Sequence, residues 1–300
     1  MSRKRKGRDI HGILLLDKPA GYSSNQAVQK VRWFFQARKA GHTGSLDPFA
    51  TGMLPICLGE ASKTAGFMLA ASKTYVAEAV LGVATTTGDI EGEVSGQQQV
   101  PDTGPAAIQA VLKQFHGHIE QVPTMYSALK HQGQPLYKLA RAGREVERKP
   151  RPVTIHSLEL LDWKPPVLKF RVHCSKGTYV RTLAEDIARE LGSCAHLKTL
   201  RRLNVEPFEE KGTIALETLE SAVEGGNAES LLLPVDAGLM EWPVVELDDD
   251  SADRFSHGNP VQIGPVQPGL VRVYSTHGKL LGIGEVTPDK LLKPKRIMHL

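Results

Sequence analysis

Short apolar runs and a two-residue period mark the strands of this chain. An apolar run predicts a buried strand over residues 12–18, ended by a turn that contains proline and glycine. Residues 168–174 alternate between apolar and basic side chains, which predicts a strand with one face in the core and one basic face. Residues 73–83, rich in valine, alanine and leucine, predict another strand, whereas the polar residues 85–96 predict a loop.

A 3.6-residue period predicts the helices. Ser23, followed three residues later by Gln26, forms a capping-box pattern that opens the first helix. Residues 105–115 predict an amphipathic helix, and a later helix follows Thr178, its expected N-cap. The positions expected to face inward are Ala27, Val28, Val31, Phe34 and Phe35 in the first helix, Ala65, Met68 and Leu69 in a helix at residues 61–71, and Val180, Leu183, Ala184, Ile187 and Leu191 in the last.

The order of these elements predicts an α/β (α+β) fold built on a mixed sheet. From about Val245 the pattern changes to short strands, at residues 270–274 and 280–286, set among glycine and proline. This change predicts a small β-rich unit at the C-terminal end. Residues 122–152 have the least regular pattern, and we predict a mobile basic arm there with a short helix at residues 136–142.

Residues 41–59 are the most distinctive stretch, with four glycines, two prolines and a single acid, Asp47. Glycine opens backbone conformations that are closed to other residues, and Pro48 holds Asp47 away from the helical conformation. The stretch therefore predicts a shaped loop that presents one carboxylate, anchored by the apolar residues 53–58. An ordinary turn-forming aspartate is the alternative interpretation.

Basic residues are concentrated in three segments, although the net charge is only +4. Five of the first eight residues are basic, a second cluster lies within residues 138–151, and a third lies within residues 290–296. Each segment alone is typical of a solvated surface. Three such segments on one chain favour a polyanionic partner such as RNA.

Composition and missing motifs exclude several other classes of protein. The chain is 41% hydrophobic, but no apolar run approaches the roughly 18 residues of a membrane span, so we expect no membrane partner. Three widely spaced cysteines indicate neither a disulfide framework nor a zinc site, and they fit a reducing cytoplasm. The sequence has no GxxxxGK[ST] loop, no complete dinucleotide fingerprint and no carboxylate cluster for Mg²⁺. We therefore expect a chemistry that needs one carboxylate and neither a metal nor a nucleotide or other cofactor.

Five segments carry the most specific patterns: residues 11–21, 41–52, 73–75, 175–181 and 200–202. Their order, spacing and residue types resemble the successive motifs of the TruB-type tRNA pseudouridine synthases. The string Gly-His-Thr-Gly-Ser-Leu-Asp-Pro is the most specific part of this resemblance, which covers about residues 11–240. The tail resembles a small PUA-like RNA-binding domain. The implied domains are a basic extension at residues 1–10, a catalytic domain at 11–243 that contains the arm at 122–152, and a PUA-like domain at 244–300.

The resemblance implies that the protein isomerises uridine 55 in the T-loop of tRNA to pseudouridine. In this reaction the bond between ribose C1′ and uracil N1 is cut, the base turns, and C5 bonds to C1′. No atom is gained or lost, which fits a chain without a cofactor site. The implied partner is the T-arm stem-loop of tRNA, and we expect a monomer in the cytoplasm.

The resemblance gives catalytic roles to three residues. Asp47 would be the nucleophilic carboxylate, which attacks the sugar or the base. Arg181 would pair with Asp47 and keep its carboxylate ionised and oriented, although the residue could instead be an ordinary arginine of a helix surface. Tyr75 would stack on the flipped uracil, and its phenol could assist removal of the proton at C5. A half-buried strand tyrosine is the alternative for Tyr75.

Three further residues would bind the target nucleotide after it leaves its stack. His42 would fill the vacated space or stack in the T-loop, Tyr179 would contact the flipped nucleotide, and Leu200 would form an apolar wall. The alternatives are a loop histidine bonded to its own backbone for His42 and plain core packing for Leu200. The arm would close over the RNA and the tail would grip the acceptor-stem side, so binding would depend on salt.

Two other functions remain open from the sequence. A guide-RNA-dependent pseudouridine synthase shares the core motif, but the long arm and short tail favour the stand-alone bacterial type. A tRNA-binding or tRNA-folding chaperone with a vestigial site is the second alternative. Intact Asp47, Tyr75 and Arg181 argue against a vestigial site, although folding help could exist as a second role.

Overall fold

The computed structural model describes residues 7–300, so residues 1–6 of the expected basic extension lie outside it. Numbered in chain order, its strands are β1 (Gly12–Lys18), β2 (Ala40–His42), β3 (Thr51–Leu58), β4 (Lys73–Leu81), β5 (Val83–Thr85), β6 (Val94–Gln97), β7 (Gly117–Gln121), β8 (Lys130–His131), β9 (Gln134–Pro135), β10 (Arg151–Lys164), β11 (Val167–Cys174), β12 (Ala195–Val205), β13 (Ile214–Ala215), β14 (Val244–Leu247), β15 (Val261–Gln262), β16 (Gly269–Ser275), β17 (Leu280–Val286) and β18 (Leu291–Ile297).

Its helices are α1 (Ser24–Phe34), α2 (Ala65–Met68), α3 (Pro105–Gln114), α4 (Leu136–Arg141), α5 (Val180–Glu190), α6 (Leu216–Glu224) and α7 (Asp249–Ser256). Short 3₁₀ turns occupy Gly59–Lys63, Glu210–Gly212, Ala228–Leu231 and Ala237–Leu239. Among the helices of residues 7–300, none combines the length and apolar character needed to cross a bilayer.

The larger sheet has nine strands in the described part of the chain, in the order β13-β1-β3-β12-β4-β11-β10-β7, with β2 also paired to β3. The pairs β1–β13 and β3–β12 are parallel, and the other neighbours are antiparallel. The sheet is therefore mixed, which confirms the α/β (α+β) fold predicted from the sequence.

Helices α1, α3, α5 and α6 cover one face of this sheet and form the main core with it. The alternation in β11 is confirmed, because Leu168, Phe170 and Val172 are buried in that core. The side chains between them point to the opposite face, where Lys169 and Arg171 pair with acids of the neighbouring strands β4 and β10. Around β11, one face of the sheet is thus apolar and the other carries paired charges.

Strand β1 is buried on both faces, which explains its uninterrupted apolar run. Leu14 and Leu16 pack under the helices, whereas Ile13 and Leu15 belong to a second core on the back of the sheet. Leu280, Ile283 and Met298 of the C-terminal region complete this second core. The five-stranded C-terminal sheet, in the order β14-β16-β17-β18-β15, therefore packs directly on the larger sheet and confirms the predicted β-rich tail.

The local predictions had mixed outcomes. The capping box is confirmed, since the side chains of Ser23 and Gln26 each accept the other's backbone N–H. Thr178 is not the N-cap of α5: its hydroxyl donates to the carbonyl of Ser175, and Tyr179 holds the cap position without a side-chain bond. The helix at residues 61–71 is only a 3₁₀ turn followed by α2, which ends before Leu69 and leaves that side chain 48% exposed. Residues 85–96 contain much of a β5–β6 hairpin rather than a plain loop.

A buried ion pair joins the C-terminal sheet to the segment before it. Arg272 Nη1 lies 3.0 Å from Asp236 Oδ2, and the Tyr274 hydroxyl donates to the same oxygen at 2.6 Å. We expect Arg272→Met to lower the free energy of unfolding by about 3–5 kcal/mol, because it leaves the carboxylate of Asp236 buried without its cation. Urea unfolding measures this loss. Tyr274→Phe removes one hydrogen bond and should cost about 1–2 kcal/mol, so equal losses in the two variants would contradict the assignment.

Candidate active site

Two buried cations shape the loop that carries Asp47, between β2 and β3. The ammonium of Lys18 donates to the carbonyls of Pro48, Tyr22 and Pro19 at 3.2, 2.7 and 2.9 Å. Burial lowers the pKa of Lys18 to about 8, and the nearby charge of Asp47 opposes that shift. Because buried carbonyls need donors, Lys18 fixes the backbone directly after Asp47.

Arg202 holds the loop backbone on both sides of Asp47. Its guanidinium donates to the carbonyls of Gly44, Ser45 and Met53. Gly52, where the loop enters β3, has a φ of +101°, and a Cβ there would lie 2.2 Å from the carbonyl oxygen of Arg202. The glycine is therefore required for the close approach of β3 and β12.

Asp47 and Arg181 form a two-point ion pair. Arg181 Nε lies 2.9 Å from Asp47 Oδ2, and Arg181 Nη2 donates to Asp47 Oδ1 at 3.2 Å. The Arg181 side chain is 4% exposed on the first turn of α5, whereas that of Asp47 is 35% exposed. The ion pair expected from the sequence is present, and Arg181 is not a residue of an open helix surface. The guanidinium orients a carboxylate that remains partly open to solvent.

Arg181 also contacts a second carboxylate, which the sequence analysis missed. Arg181 Nη1 lies 3.3 Å from Asp89 Oδ2, and the Asp89 side chain is almost fully buried. The Thr87 hydroxyl and the Glu91 backbone N–H donate to the other oxygen of Asp89 at 2.6 and 3.0 Å. Asp89 lies in the segment predicted as a polar loop, where no local pattern distinguished it from a solvated acid.

The remaining donors of Arg181 hold two backbone segments. Its Nη1 donates to the carbonyl of Thr87 at 2.7 Å, and its Nη2 donates to the carbonyl of Tyr126 at 2.8 Å. Thr87 belongs to the turn between β5 and β6, and Tyr126 belongs to the arm (residues 122–152). A single buried guanidinium thus links the Asp47 loop, the hairpin turn and the arm.

The surroundings of Asp47 act on its pKa in opposite directions. Burial raises the pKa of the Asp47 carboxyl, the charge of Arg181 lowers it, and the charge of Asp89 raises it further. The net direction is upward, so Asp47 ionises at a higher pH than an exposed aspartate does.

We expect Asp89→Asn to lower the pKa of Asp47, because it removes a neighbouring negative charge and leaves Arg181 with one carboxylate partner. Asp47 would then remain ionised to lower pH than in the unchanged protein. NMR titration of the Asp47 carboxyl carbon measures the shift. Asp17→Asn is the matched control, since Asp17 pairs with Arg201 and is not among the groups that shift Asp47. An unchanged or higher pKa in Asp89→Asn would contradict this account.

Tyr75 and Leu200 lie on neighbouring strands, on the face of the sheet that the helices cover. In the pairing of β4 with β12, Tyr75 is opposite Arg202 and Ala77 is opposite Leu200. Both side chains belong to the main core. Tyr75 is buried rather than half-buried, and burial raises the pKa of its phenol. Leu200 packs in the core, which was the alternative to a pocket wall. Its role as a wall of the pocket stays a prediction.

His42 and Tyr179 are both half-buried. The His42 Nδ1 accepts the backbone N–H of Gly44 at 3.2 Å, which is the local bond considered as its alternative role. Burial lowers the pKa of His42, and the nearby charge of Arg202 acts in the same direction, so the ring is neutral near pH 7. The backbone N–H of Tyr179 donates to Gln121 Oε1 at 3.0 Å. Their contacts with a nucleotide remain predictions.

The arm has a small apolar cluster of its own, built on Met125, Leu136 and Leu139. Helix α4 confirms the short helix predicted there. A cleft of about 500 Å³ separates the arm from α5, and its lining includes the acids Glu120, Glu145, Glu185 and Asp186. The lining also contains Arg148 and Arg189, which pair with Glu145 and Asp186, so its formal charge stays negative and does not suit RNA phosphates. The exposed lysines and arginines of the arm are Lys130, Lys138, Arg141, Arg144, Lys149 and Arg151.

Among residues 7–300, no group of three or more histidine, cysteine, aspartate or glutamate side chains is arranged to hold a metal ion. The contacts of the site form a carboxylate–guanidinium network of Asp47, Arg181 and Asp89.

Comparison with known proteins identifies the family. The family model for the N-terminal domain of TruB family pseudouridylate synthases matches residues 32–180. The model for the C-terminal domain of tRNA pseudouridylate synthase B matches residues 181–240, and that for the C-terminal part of pseudouridine synthase II TruB matches residues 243–298. The chain therefore belongs to the TruB family of pseudouridylate synthases.

Similar proteins align with the chain over nearly its whole length. It is 52% identical over 301 residues to the tRNA pseudouridine synthase B of Stutzerimonas stutzeri (strain A1501), covering 99% of this chain and 98% of that protein. The protein of the same name from Pseudomonas aeruginosa (strain UCBPP-PA14) is also 52% identical with the same coverage.

Solved structures show the same fold. A crystal structure of a Cbf5-Nop10-Gar1 complex contains a chain that is 26% identical, with a TM-score of 0.73, covering 95% of this chain and 84% of that one. An H/ACA RNP bound to a substrate RNA containing 2′-deoxyuridine contains a chain with a TM-score of 0.74 at 23% identity, covering 100% of this chain and 92% of that one.

Proposed function

We propose that the protein isomerises uridine 55 in the T-loop of tRNA to pseudouridine, without guide RNA or cofactor, as a cytoplasmic monomer. The observation that carries the proposal is the partly open carboxylate of Asp47, held by the buried Arg181. The chain's 52% identity to proteins named tRNA pseudouridine synthase B supports tRNA as the substrate.

In this proposal Asp47 is the nucleophile. Arg181 holds its carboxylate ionised against the effect of burial and points it at the incoming nucleotide. The carboxylate bonds to the sugar or the base, and the C1′–N1 bond breaks. The base turns, C5 bonds to C1′, and the bond to Asp47 breaks, which restores the free carboxylate. The hydrogen leaves C5 and N1 gains one, so the atoms of the uridine are conserved.

The target base reaches Asp47 only after it leaves its stack, which costs a few kcal/mol. His42, neutral because its pKa is lowered, fills the space left behind. Tyr75 stacks on the flipped uracil, Leu200 closes the pocket beside it, and Tyr179 contacts the nucleotide from the start of α5. The raised pKa of Tyr75 keeps its phenol protonated, so we assign it stacking and hydrogen bonding rather than the role of a phenolate base.

The domain roles also belong to the proposal. Residues 11–243 form the catalytic domain, and the arm is its mobile part, which closes over the RNA with its exposed bases. Residues 244–300 form a PUA-like domain that binds the acceptor-stem side of the tRNA. Strand β18 supports this assignment, because its Lys293, Lys295 and Arg296 are exposed, with Lys295 paired to Glu285. The basic residues 1–10 add further phosphate contacts, so the affinity should fall as salt rises.

Incubating the purified protein with a T-arm stem-loop RNA, without any other component, tests the proposal. We expect pseudouridine at the position of uridine 55 and nowhere else. The structural likeness to Cbf5 complexes favours a guide-dependent synthase as the second candidate. Product that forms only when guide RNA and accessory proteins are added would support that candidate instead. Faster refolding of tRNA by both the unchanged protein and Asp47→Asn would show a chaperone role beside the enzymatic one.

A further inference from the structure

We propose that the C-terminal end of α1 and the segment after it form an additional RNA-contact surface, the Trp33 patch, made of Lys30, Trp33, Arg38 and Lys39. An unpaired base of the tRNA substrate stacks on Trp33, and the basic side chains bind its flanking phosphates. This inference rests on the proposed function in taking tRNA as the substrate.

Trp33 is largely exposed, and its only aromatic contact within residues 7–300 is with the neighbouring Phe34. Its side chain is 71% exposed, more than that of any other large hydrophobic residue identified as exposed in residues 7–300. The other two tryptophans make contacts within the fold. The Trp163 indole donates to the carbonyl of Thr103 at 2.9 Å, and Trp242 packs edge-on against Phe67. A large aromatic ring that is exposed to solvent is a candidate for contact with another molecule.

The charge around Trp33 is positive. Residues 29–39 contain four bases, Lys30, Arg32, Arg38 and Lys39, and no acid. The ammonium of Lys30 lies 5.4 Å from the centre of the Phe34 ring, which lies 5.2 Å from that of Trp33. The positive charge of Arg38 is partly offset by the carboxylate of Asp9, which lies 3.2 Å from its guanidinium. An exposed ring in a basic segment suits a nucleotide, because it offers a stacking face and the segment offers phosphate ligands.

The patch is continuous with the proposed active site. Lys39 directly precedes β2, and β2 ends at His42, so the patch begins about 10 Å from His42 along one extended strand.

The described chain also begins beside the patch. The N–H of Arg8 donates to the carbonyl of Gln36 at 2.7 Å, and Arg38 Nε donates to the carbonyl of Gly7 at 2.9 Å. Residues 3–6, which directly precede Gly7 in the sequence, are all basic. Among the described residues, Gly7 and Arg8 therefore lie next to Arg38.

These observations favour RNA over a protein partner. A protein interface with an aromatic centre is depleted of lysine, whereas two of the four patch residues are lysines. Stacking of a base on an aromatic side chain tolerates every base and needs only an accessible ring. The patch therefore binds the same tRNA that the active site holds.

Equilibrium binding of an unmodified full-length tRNA transcript tests the proposal, measured in an Asp47→Asn background so that no product forms. We expect Trp33→Ala to weaken binding about tenfold. Trp33→Phe keeps a ring and should stay within about twofold, whereas Trp33→Leu should be as weak as the alanine variant. Leu161→Ala is the matched control, an exposed apolar residue on β10 next to Asp162, and its affinity should not change.

Fluorescence gives a second readout. RNA should quench the tryptophan emission of the protein, and Trp33→Phe should abolish most of that quenching. Full tRNA affinity in Trp33→Ala, or recovery of binding in Trp33→Leu, overturns the proposal. A change in sedimentation of Trp33→Ala with unchanged tRNA affinity would assign the patch to a protein contact instead. The proposed function fails separately, if Asp47→Asn forms product.

Discussion

Asp47→Asn is expected to abolish pseudouridine formation, with a loss on the order of 10⁴-fold or more in the single-turnover rate. An amide has nearly the shape of a carboxylate but is a poor nucleophile. The substituted side chain still fits between Arg181 and the loop backbone that Lys18 and Arg202 hold. We therefore expect tRNA affinity within about twofold of the unchanged protein.

The control for this substitution is the same change at another paired aspartate. Asp17 forms a two-point ion pair with Arg201, with oxygen–nitrogen distances of 3.0 and 2.8 Å, and Asp17→Asn alters the charge of the protein by the same amount. We expect this variant to keep the single-turnover rate within a few-fold. Equal losses in the two variants would point to a general electrostatic effect and away from nucleophilic catalysis by Asp47.

Arg181→Lys is expected to lower the single-turnover rate by about 10²- to 10³-fold although it keeps the positive charge. The planar, rigid guanidinium pairs with Asp47 and Asp89 and donates hydrogen bonds to the carbonyls of Thr87 and Tyr126. An ammonium cannot meet these four partners at once, so Asp47 would lose its orientation. Rapid-quench measurement at saturating tRNA separates this effect from weaker binding.

Arg189→Lys is the matched control for Arg181→Lys. Arg189 lies on the same helix, is exposed, and pairs with Asp186 at the surface. Its replacement should leave the rate unchanged and should alter the melting temperature less than Arg181→Lys does, because exposed ion pairs contribute little to stability. A rate for Arg181→Lys within threefold of the unchanged protein would show that the fork geometry is not required.

Elements with a strong local pattern were predictable from the sequence. The two-residue alternation of β11 and the capping box of α1 each depend on residues close together in the chain. The ends of α2 and α5 were not predictable in the same way. Thr178 is a good capping residue by type, but its hydroxyl bonds to Ser175 in the preceding turn.

Long-range contacts explain what the sequence missed in the site. Asp89 is joined to Asp47 through Arg181, which lies 92 positions later in the chain than Asp89. Arg202 carried a usable signal, because it lies two positions after Leu200 in a strand and therefore shares its inward face. An arginine on the core side of a strand needs internal acceptors, and the carbonyls of the Asp47 loop provide them.

The central claim is that this chain alone converts one defined uridine of tRNA. Mass-spectrometric mapping of a full-length tRNA transcript, incubated only with the purified protein, tests it most directly. The account predicts one pseudouridine per tRNA, at position 55, and none in a transcript with cytidine at that position. Pseudouridine at another position, or no product from the bare transcript, would contradict it.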